Sequence, residues 1–292
     1  PAARASYRRA LELNPADARL VAEADQLAKK CNDPLADRLA FLEARRALVA
    51  QRDDATVEQA ALLNLSNRPA EALELLLSRR FHPWEGGEGA VLRQYTQART
   101  LLGRQALEAG DAAGALAHFT GAMATPGSLG EAYHLLQAKA DVEYWTGKAC
   151  QALGRAAEAR QHFRLAAGES GDFSEMAVTE HSPLSYYRGL ALRELGETAT
   201  ARQLFASLRE FASRRVGQVA AIDYFATSLP NLLVFEEDLQ ARRDAENNLL
   251  LALACHGLGD DTAAGEALGQ ALAVNRADPW AVDLARELAG GG

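Results

Sequence analysis

Residues 154–166 of the chain read GRAAEARQHFRLA, and within them Ala159, Phe163 and Ala166 are separated by four and then three positions. This spacing places the three side chains on one stripe of a helix. Two small residues beside a large one allow a neighbouring helix to approach closely while the ring fills the gap. The same pattern recurs along the chain at Ala3-Tyr7-Ala10, Ala115-Phe119-Ala122, Ala201-Phe205-Leu208 and Ala264-Leu268-Ala271. A packing stripe that recurs in this way predicts a repeat protein made of helix pairs throughout, with no sheet.

A turn residue stands nine positions before the large residue of each repeat. Glycine adopts positive φ freely, and asparagine or aspartate tolerates it, so these residues commonly end a helix. The first helix of each pair is therefore predicted to end at Gly110, Gly154, Gly196, Gly259, Asn67 before the anchor Leu76, and Asp33 before the anchor Leu42. Within the first helices, Gly103 and Gly147 fit the small position at which each helix packs on its partner.

This arrangement of small residues, large anchors and turn residues resembles the tetratricopeptide repeat family over nearly the whole chain. The family period is about 34 residues, and the first two intervals between anchors are close to it. Later intervals are longer, and the last leaves room for a further helix pair in Val216–Leu229 and Leu232–Asn248. The repeat around Leu42 is weak, because Arg38 and Arg45 occupy its small positions. The predicted fold class is all-α, a tetratricopeptide-like helix–turn–helix solenoid.

The two ends of the chain lead to different predictions. Residues 1–15 form the second helix of a repeat without its first helix, which is the pattern of a half repeat severed from an upstream region. Residues 279–289 are predicted to form the C-terminal capping helix that a solenoid needs. Asp283, Arg286 and Glu287 are expected on its solvent-facing side. The whole chain, 1–292, is then predicted to be a single superhelical domain.

Composition restricts the classes of function. The net charge is −8, whereas non-specific binding to a polyphosphate backbone needs an excess of Lys and Arg, so no nucleic acid partner is predicted. No window approaches the roughly 20 apolar residues of a membrane span, so no membrane partner is predicted. Cys31, Cys150 and Cys255 cannot form a closed set of disulfides, and none belongs to a CxxC pair. These features favour a cytoplasmic location.

The stretch from Arg79 to Gly89 is the part of the chain that least resembles a repeat. It reads RRFHPWEGGEG and precedes a long helix that begins near Ala90. Three glycines before a helix could form a nest for an anion, but the flanking glutamates would repel phosphate and no P-loop Lys follows. One interpretation is a packed turn, and the other is a binding loop in which an aromatic ring and carboxylates contact a sugar. The candidate binding residues are His82, Trp84, Glu85 and Glu88.

Aromatic residues also occur in the predicted first helices, which line the concave face of such solenoids. Adjacent helical residues point about 100° apart, so half of each aromatic pair belongs in the core and half could face the groove. The candidate binding residues are Tyr144, Trp145, Tyr187 and Tyr224. The loop 82–89 is expected on the same side of the solenoid as Tyr144, Trp145 or Tyr187.

Catalytic chemistry has little support in the sequence. The histidines do not cluster, and there is neither an HExxH motif nor a metal-like Cys/His spacing, so no metal, cofactor or catalytic residue is predicted. Glu85 and Glu88 could in principle serve as the carboxylate pair of a glycoside hydrolase, which is the least favoured interpretation.

Three segments together show a narrower resemblance. They are Arg80–Gly89, Asp141–Gly147 and Ile222–Leu232. They resemble the C-terminal tail of large bacterial proteins whose N-terminal part is an uncharacterised β-sandwich domain related to carbohydrate-active enzymes. The resemblance implies a non-catalytic scaffold that docks onto this upstream β domain and helps to shape its site, with carbohydrate as a second candidate ligand. The alternative is a free-standing adaptor that binds peptides or proteins, although its first helices after residue 90 offer few lysines.

Overall fold

The computed structural model describes residues 2–84, 86–134, 137–169, 172–174, 177–220 and 238–290, and most of these residues are helical. They fall into two compact units. Unit 1 contains the described residues up to 102, together with 124–133. Unit 2 contains residues 103–123, the described residues from 134 to 220, and those from 238 onward. No helix among the described residues is long and apolar enough to cross a membrane.

Unit 1 is a series of short helices around one apolar core. Its helices are α1 (Ala2–Leu13), α2 (Ala18–Lys30), α3 (Leu35–Glu43), α4 (Arg46–Val49), α5 (Asp53–Leu65), α6 (Pro69–Leu77) and the part of α7 (Ala90–Glu108) up to residue 102, with a 3-10 turn at Gly127–Leu129. The predicted anchors Leu42 and Leu76 are both fully buried in its core.

Unit 2 contains the more regular helix pairs. Its elements are the end of α7, α8 (Ala112–Ala122), α9 (Ala140–Ala152), α10 (Ala156–Gly168), β1 (Asp172–Ser174), β2 (Ala177–Thr179), α11 (Leu184–Glu194), α12 (Thr198–Arg215), α13 (Leu239–Leu258), α14 (Asp261–Val274) and α15 (Pro279–Gly290). Consecutive helices pack on each other, and the all-α class of helix–turn–helix pairs predicted from the sequence is confirmed.

In three helix pairs of unit 2, α7/α8, α9/α10 and α11/α12, a phenylalanine on the second helix contacts a glycine on the first. Phe119, Phe163 and Phe205 are buried, as predicted. A Cβ atom added to Gly103 would lie 2.4 Å from the Phe119 ring, and one added to Gly147 would lie 2.5 Å from the Phe163 ring. The two helices can therefore approach this closely only because the first helix carries no side chain at the contact.

The predicted turn glycines are confirmed. Gly110, Gly154, Gly196 and Gly259 have φ of 81°, 74°, 84° and 83° and lie at or just beyond the end of a first helix. Asn67 also has positive φ, at 58°, as predicted. The prediction for Asp33 is wrong by one residue, because Asn32 adopts φ of 55° at this turn. Asparagine tolerates the left-handed region better than most residues, and it takes the position in preference to its neighbour.

The weak repeat around Leu42 contains buried ion pairs at Arg38, where the other repeats have a small side chain. The Arg38 guanidinium is buried and forms two hydrogen bonds to Asp25, of 3.0 and 2.8 Å, and a third of 2.6 Å to Glu58. Burial alone would raise the pKa of Glu58, but Lys29 and Arg38 outweigh it and lower that pKa to about 2. A buried arginine needs such partners, because an unpaired buried charge is costly.

Two features differ from the predicted all-helical pairs. β1 and β2 form a short antiparallel hairpin in the connection between α10 and α11, so the prediction of no sheet is wrong there. This connection is long enough for the chain to fold back, and strand pairing satisfies its backbone groups. The second helix predicted within Leu232–Asn248 is the start of the single helix α13, which continues to Leu258. Residues 216–220 are not helical, and residues 221–237 lie outside the described part of the chain.

A helix is present at the position predicted for the capping helix, as α15, and its capping role stays a prediction. The division into two units neither confirms nor excludes the single domain over 1–292, which stays a prediction, as does the severed half repeat at residues 1–15.

Candidate functional site

The loop that begins at Phe81 is anchored at its first end by hydrogen bonds from its backbone. The Phe81 N–H donates to the Ser128 carbonyl oxygen at 2.8 Å, and the His82 N–H donates to Asp53 Oδ2 at 2.9 Å. Gly130 allows the backbone of its segment to approach that of Phe81 closely, since a Cβ atom at Gly130 would lie 2.6 Å from the Phe81 carbonyl oxygen. The backbone at the start of the loop is therefore held in a defined conformation, while the His82 side chain remains exposed.

The far end of the same loop is anchored by a carboxylate of the chain itself. Glu131 accepts hydrogen bonds from the Gly89 and Leu92 N–H groups, both of 2.7 Å, at the start of α7. A helix N-terminus favours a negative charge, because its first N–H groups lack partners within the helix. Two of the N–H groups that an anion would need here are thus already bound to Glu131, which agrees with the sequence argument against an anion nest.

The side chains of the loop take different positions. Trp84 is half-buried against the core of unit 1, and its indole lies on Gly87, where a Cβ atom would be 1.9 Å from Trp84 Cε2. His82 and Glu88 are exposed, and Glu85 lies outside the described residues. The loop combines a packed turn at its tryptophan with two polar side chains that face solvent.

The predicted aromatic residues of unit 2 contact one another. The ring centroids of Tyr144 and Trp145 are 5.2 Å apart, and those of Tyr144 and Tyr187 are 5.9 Å apart. Tyr144 and Tyr187 are buried, whereas Trp145 is half-buried. Tyr224 lies outside the described residues. The aromatic positions form a packed group rather than a row of rings pointing to solvent.

A cluster of charged and aromatic side chains surrounds this group, and the sequence analysis missed most of it. Arg104 on α7 pairs with Asp283 and, at 3.1 Å, with Glu287 on α15. The guanidinium also lies over the Trp145 ring, 4.6 Å from its centroid. We define the Arg104 cluster as Arg104, Trp145, Tyr186, Tyr187, His256, Asp283 and Glu287.

The remaining members of the Arg104 cluster contact the same two carboxylates. The Tyr187 hydroxyl donates to Asp283 Oδ2 at 3.3 Å, and the Tyr186 hydroxyl donates to Glu287 Oε2 at 3.4 Å. His256 Nε2 lies 4.0 Å from Glu287 Oε2. Side chains from α7, α11 and α13 thus converge on an acidic pair of α15.

This convergence corrects the prediction for the capping helix. Asp283, Arg286 and Glu287 were expected to face solvent, but the Asp283 and Glu287 side chains are only 16% and 23% exposed and Arg286 is half-buried. The acidic pair faces inward because Arg104 lies opposite it. The one signal in the sequence was the pair of acids four residues apart in a helix whose only other charged residue is Arg286.

Burial and charge shift the titration of these groups. Burial lowers the pKa of Arg104, but Asp283, Tyr187 and Glu287 more than offset that effect, so its pKa is raised. Burial, followed by the nearby charge of Asp283, raises the pKa of Glu287. Burial also raises the pKa of Tyr187 well above its usual value. The tyrosines therefore remain protonated and can act as hydrogen-bond donors to the carboxylates.

The described residues offer no arrangement for catalysis by a metal. They contain no group of three or more His, Cys, Asp or Glu side chains that could hold an ion. The predicted loop residues belong to unit 1, whereas Tyr144, Trp145 and Tyr187 belong to unit 2. Their position on one side of the molecule stays a prediction.

Comparison with known proteins leaves the function open. No protein-family profile matches the chain. One solved structure with a similar fold is that of the APC/C hetero-tetramer Cut9-Hcn1, with 13% identity and a TM-score of 0.42. The match covers 97% of this chain, and this chain spans 45% of that one. No functional conclusion follows from a likeness this distant.

Proposed function

We propose that the chain is a non-catalytic helical-repeat scaffold that docks onto a carbohydrate-processing β domain of the same protein and helps to shape the site of that domain. The observation that supports the proposal most is the anchored loop 81–89. Binding residues often lie on loops that a rigid scaffold holds in place, because ordering a loop on binding costs conformational entropy. Here Asp53 and Glu131 hold the loop, while His82 and Glu88 extend into solvent.

The chemistry of this surface favours a polar partner. An exposed carboxylate and an imidazole can form hydrogen bonds with a protein surface or with sugar hydroxyls, whereas the net charge of −8 disfavours phosphates. The sequence of the loop is also the most specific element of the resemblance to tails that follow a carbohydrate-related β domain.

The experiment measures binding between this chain and the upstream domain, each expressed separately. Replacing His82 by Ala and Glu88 by Gln should weaken binding of the isolated upstream domain to this chain by at least tenfold in calorimetry, since a few interface residues carry most of the binding energy. The matched control is Glu74→Gln, because Glu74 is an exposed glutamate of unit 1 on α6. Unchanged affinity in the folded double variant would refute docking through this loop.

A free-standing polypeptide-binding adaptor is the second candidate, and the Arg104 cluster favours it. In that cluster a face built from several helices already contacts a helix through charged and aromatic side chains. An adaptor would bind a separate protein with the same affinity whether or not the upstream domain is attached. Calorimetry on this chain with and without the upstream domain measures the two affinities.

A further inference from the structure

The helix α15 contacts unit 2 through two different faces. Ala281 and Leu284 are buried in the apolar core, as expected for a helix that caps a repeat array. Asp283 and Glu287, four residues apart, lie on another face and contact Arg104. A helix that served only to cover the last repeat would place its charges in solvent. The acidic pair instead forms a specific polar contact.

The surface that receives the acidic pair is organised by contacts that do not involve α15. The Trp145 ring lies beneath the Arg104 guanidinium, and the Tyr144 ring packs edge-on against Trp145. The Tyr186 and Tyr187 rings also pack edge-on, with centroids 5.5 Å apart. The arginine and the two tyrosine hydroxyls are therefore held in place by their own neighbours. Pre-organised donors of this kind reduce the entropic cost of binding an acidic ligand.

The fit between α15 and this surface is incomplete. Asp283 Oδ1 and the Trp145 indole N–H are buried, and neither forms a hydrogen bond with the part of the chain that the structure describes. One guanidinium also faces two carboxylates, and burial together with the charge of Asp283 raises the pKa of Glu287 although Arg104 lowers it. Buried polar groups without partners destabilise a contact. A helix that satisfied them would compete with α15.

We propose that α15 is an exchangeable occupant of this surface, and that the surface binds an acidic amphipathic helix from a partner protein. The partner helix is expected to carry two carboxylates four residues apart, with an aromatic residue three positions before the first. This is the pattern of Trp280, Asp283 and Glu287 in α15, where the Trp280 ring lies 5.8 Å from that of Tyr187. The inference goes beyond the proposed function and does not depend on docking through the loop 81–89.

The connection to α14 permits such an exchange. Only residues 275–278 separate the two helices, and Asp278 caps α15 by accepting hydrogen bonds from the Trp280 and Ala281 N–H groups. A short linker gives the attached helix a high effective concentration, so an external helix binds weakly until the internal contact is loosened. Loosening that contact should therefore reveal the affinity of the surface.

The test uses a fluorescent peptide with the sequence of residues 276–290 and the full chain. The double substitution Asp283→Asn and Glu287→Gln keeps the shape of α15 but removes its charges. The peptide should bind this variant at least about tenfold more tightly than the wild-type chain in anisotropy titrations, because more of the surface is open. A peptide with the same two substitutions is the matched control and should bind at least about tenfold more weakly. Adding Arg104→Gln to the variant chain should remove the gain.

Equal binding by the wild-type chain and the folded double variant would overturn the proposal and make α15 a fixed part of the core. If the double variant bound the peptide equally well with and without Arg104→Gln, recognition of the acidic pair by Arg104 would be overturned. Concentration-dependent dimers of the wild-type chain in light scattering would identify the occupant as α15 of a second copy and overturn the partner helix. Hydrogen exchange on the wild-type chain tests the same point without substitutions. Saturating peptide should accelerate hydrogen exchange of the α15 amides and leave that of the α13 amides unchanged. If hydrogen exchange in α15 is not accelerated, the peptide does not displace α15.

Discussion

Replacing Gly147 by Ala should destabilise unit 2, although alanine is the better helix former. In the interior of an exposed helix, Gly→Ala stabilises by roughly 0.5–1 kcal/mol. Gly147 lies in α9 opposite the Phe163 ring, and a new Cβ atom would lie 2.5 Å from Phe163 Cε1 and 2.7 Å from Cδ1. Carbon atoms make favourable contacts at about 3.5–4.0 Å, so the ring would have to move by about 1 Å.

The magnitude depends on whether the Phe163 ring can move. The ring is 4% exposed and belongs to the apolar core together with Ala159 and Ala166 of its own helix. Overpacking a well-packed core costs typically 1–3 kcal/mol. Subtracting the gain in helix propensity leaves an expected loss in the free energy of unfolding of roughly 0–2.5 kcal/mol, centred on about 1 kcal/mol.

Urea unfolding followed by circular dichroism measures this difference. The matched control is Gly265→Ala, since Gly265 lies inside α14 with no atom within 4 Å of its added Cβ. That variant should gain stability. The double variant Gly147→Ala with Phe163→Leu should be less destabilised than the sum of the single variants, because the smaller side chain relieves the clash.

Two outcomes would contradict the reasoning. Gly147→Ala could be as stable as Gly265→Ala, which would mean that α9 and α10 do not pack through this contact. The double variant could be strictly additive, which would mean that the loss arises away from the Phe163 ring. In either case the close approach of glycine and phenylalanine would not be what joins the helix pair.

Three further predictions concern a turn, a cap and an ion pair. Gly154→Ala should lower the free energy of unfolding by more than about 1 kcal/mol in thermal or urea unfolding, because alanine is strained at φ of 74°. An unchanged free energy of unfolding would contradict the requirement for positive φ at this turn. Glu131→Ala should lower the free energy of unfolding by about 0.5–2 kcal/mol, as loss of a helix cap does. The control Glu74→Ala, at an exposed position of α6, should change it by less than about 0.5 kcal/mol. Equal effects of the two substitutions would contradict the role of Glu131 as the cap of α7. Glu58→Gln should cost up to about 3 kcal/mol near neutral pH, since the Glu58 pKa is lowered from 4.5 to about 2. A carboxyl group whose pKa is lowered in the folded state stabilises the fold above its unfolded-state pKa. The difference in unfolding free energy between the variant and the wild type should therefore shrink as the pH falls from about 5 to 2. A difference that stays constant over this range would contradict the charged Glu58 as the source of the stabilisation.

The helix pairs could be predicted because their signals are local. The stripe of Ala159, Phe163 and Ala166 and the turn at Gly154 lie within thirteen residues of one another, where helical geometry fixes which side chains share a face. The small first-helix positions Gly103 and Gly147 were predicted for the same reason. Asn32 was missed by one residue because asparagine and aspartate both tolerate positive φ, and the sequence pattern does not rank them at adjacent positions.

The contacts that define the candidate sites depend on tertiary structure. Glu131 caps α7 from a segment that lies 42 residues beyond Gly89 in sequence, and Arg104 pairs with Asp283 across 179 residues. Which residues meet over such separations depends on the crossing angles of every intervening helix, and small changes in those angles accumulate along the stack. The sequence alone therefore determined most of the helices, the burial of the anchor rings Phe119, Phe163 and Phe205, and where the first helices end. Only the packed structure decided that the acidic face of α15 points at Arg104 instead of at solvent, because a charge faces inward only where a partner from elsewhere in the chain lies opposite it.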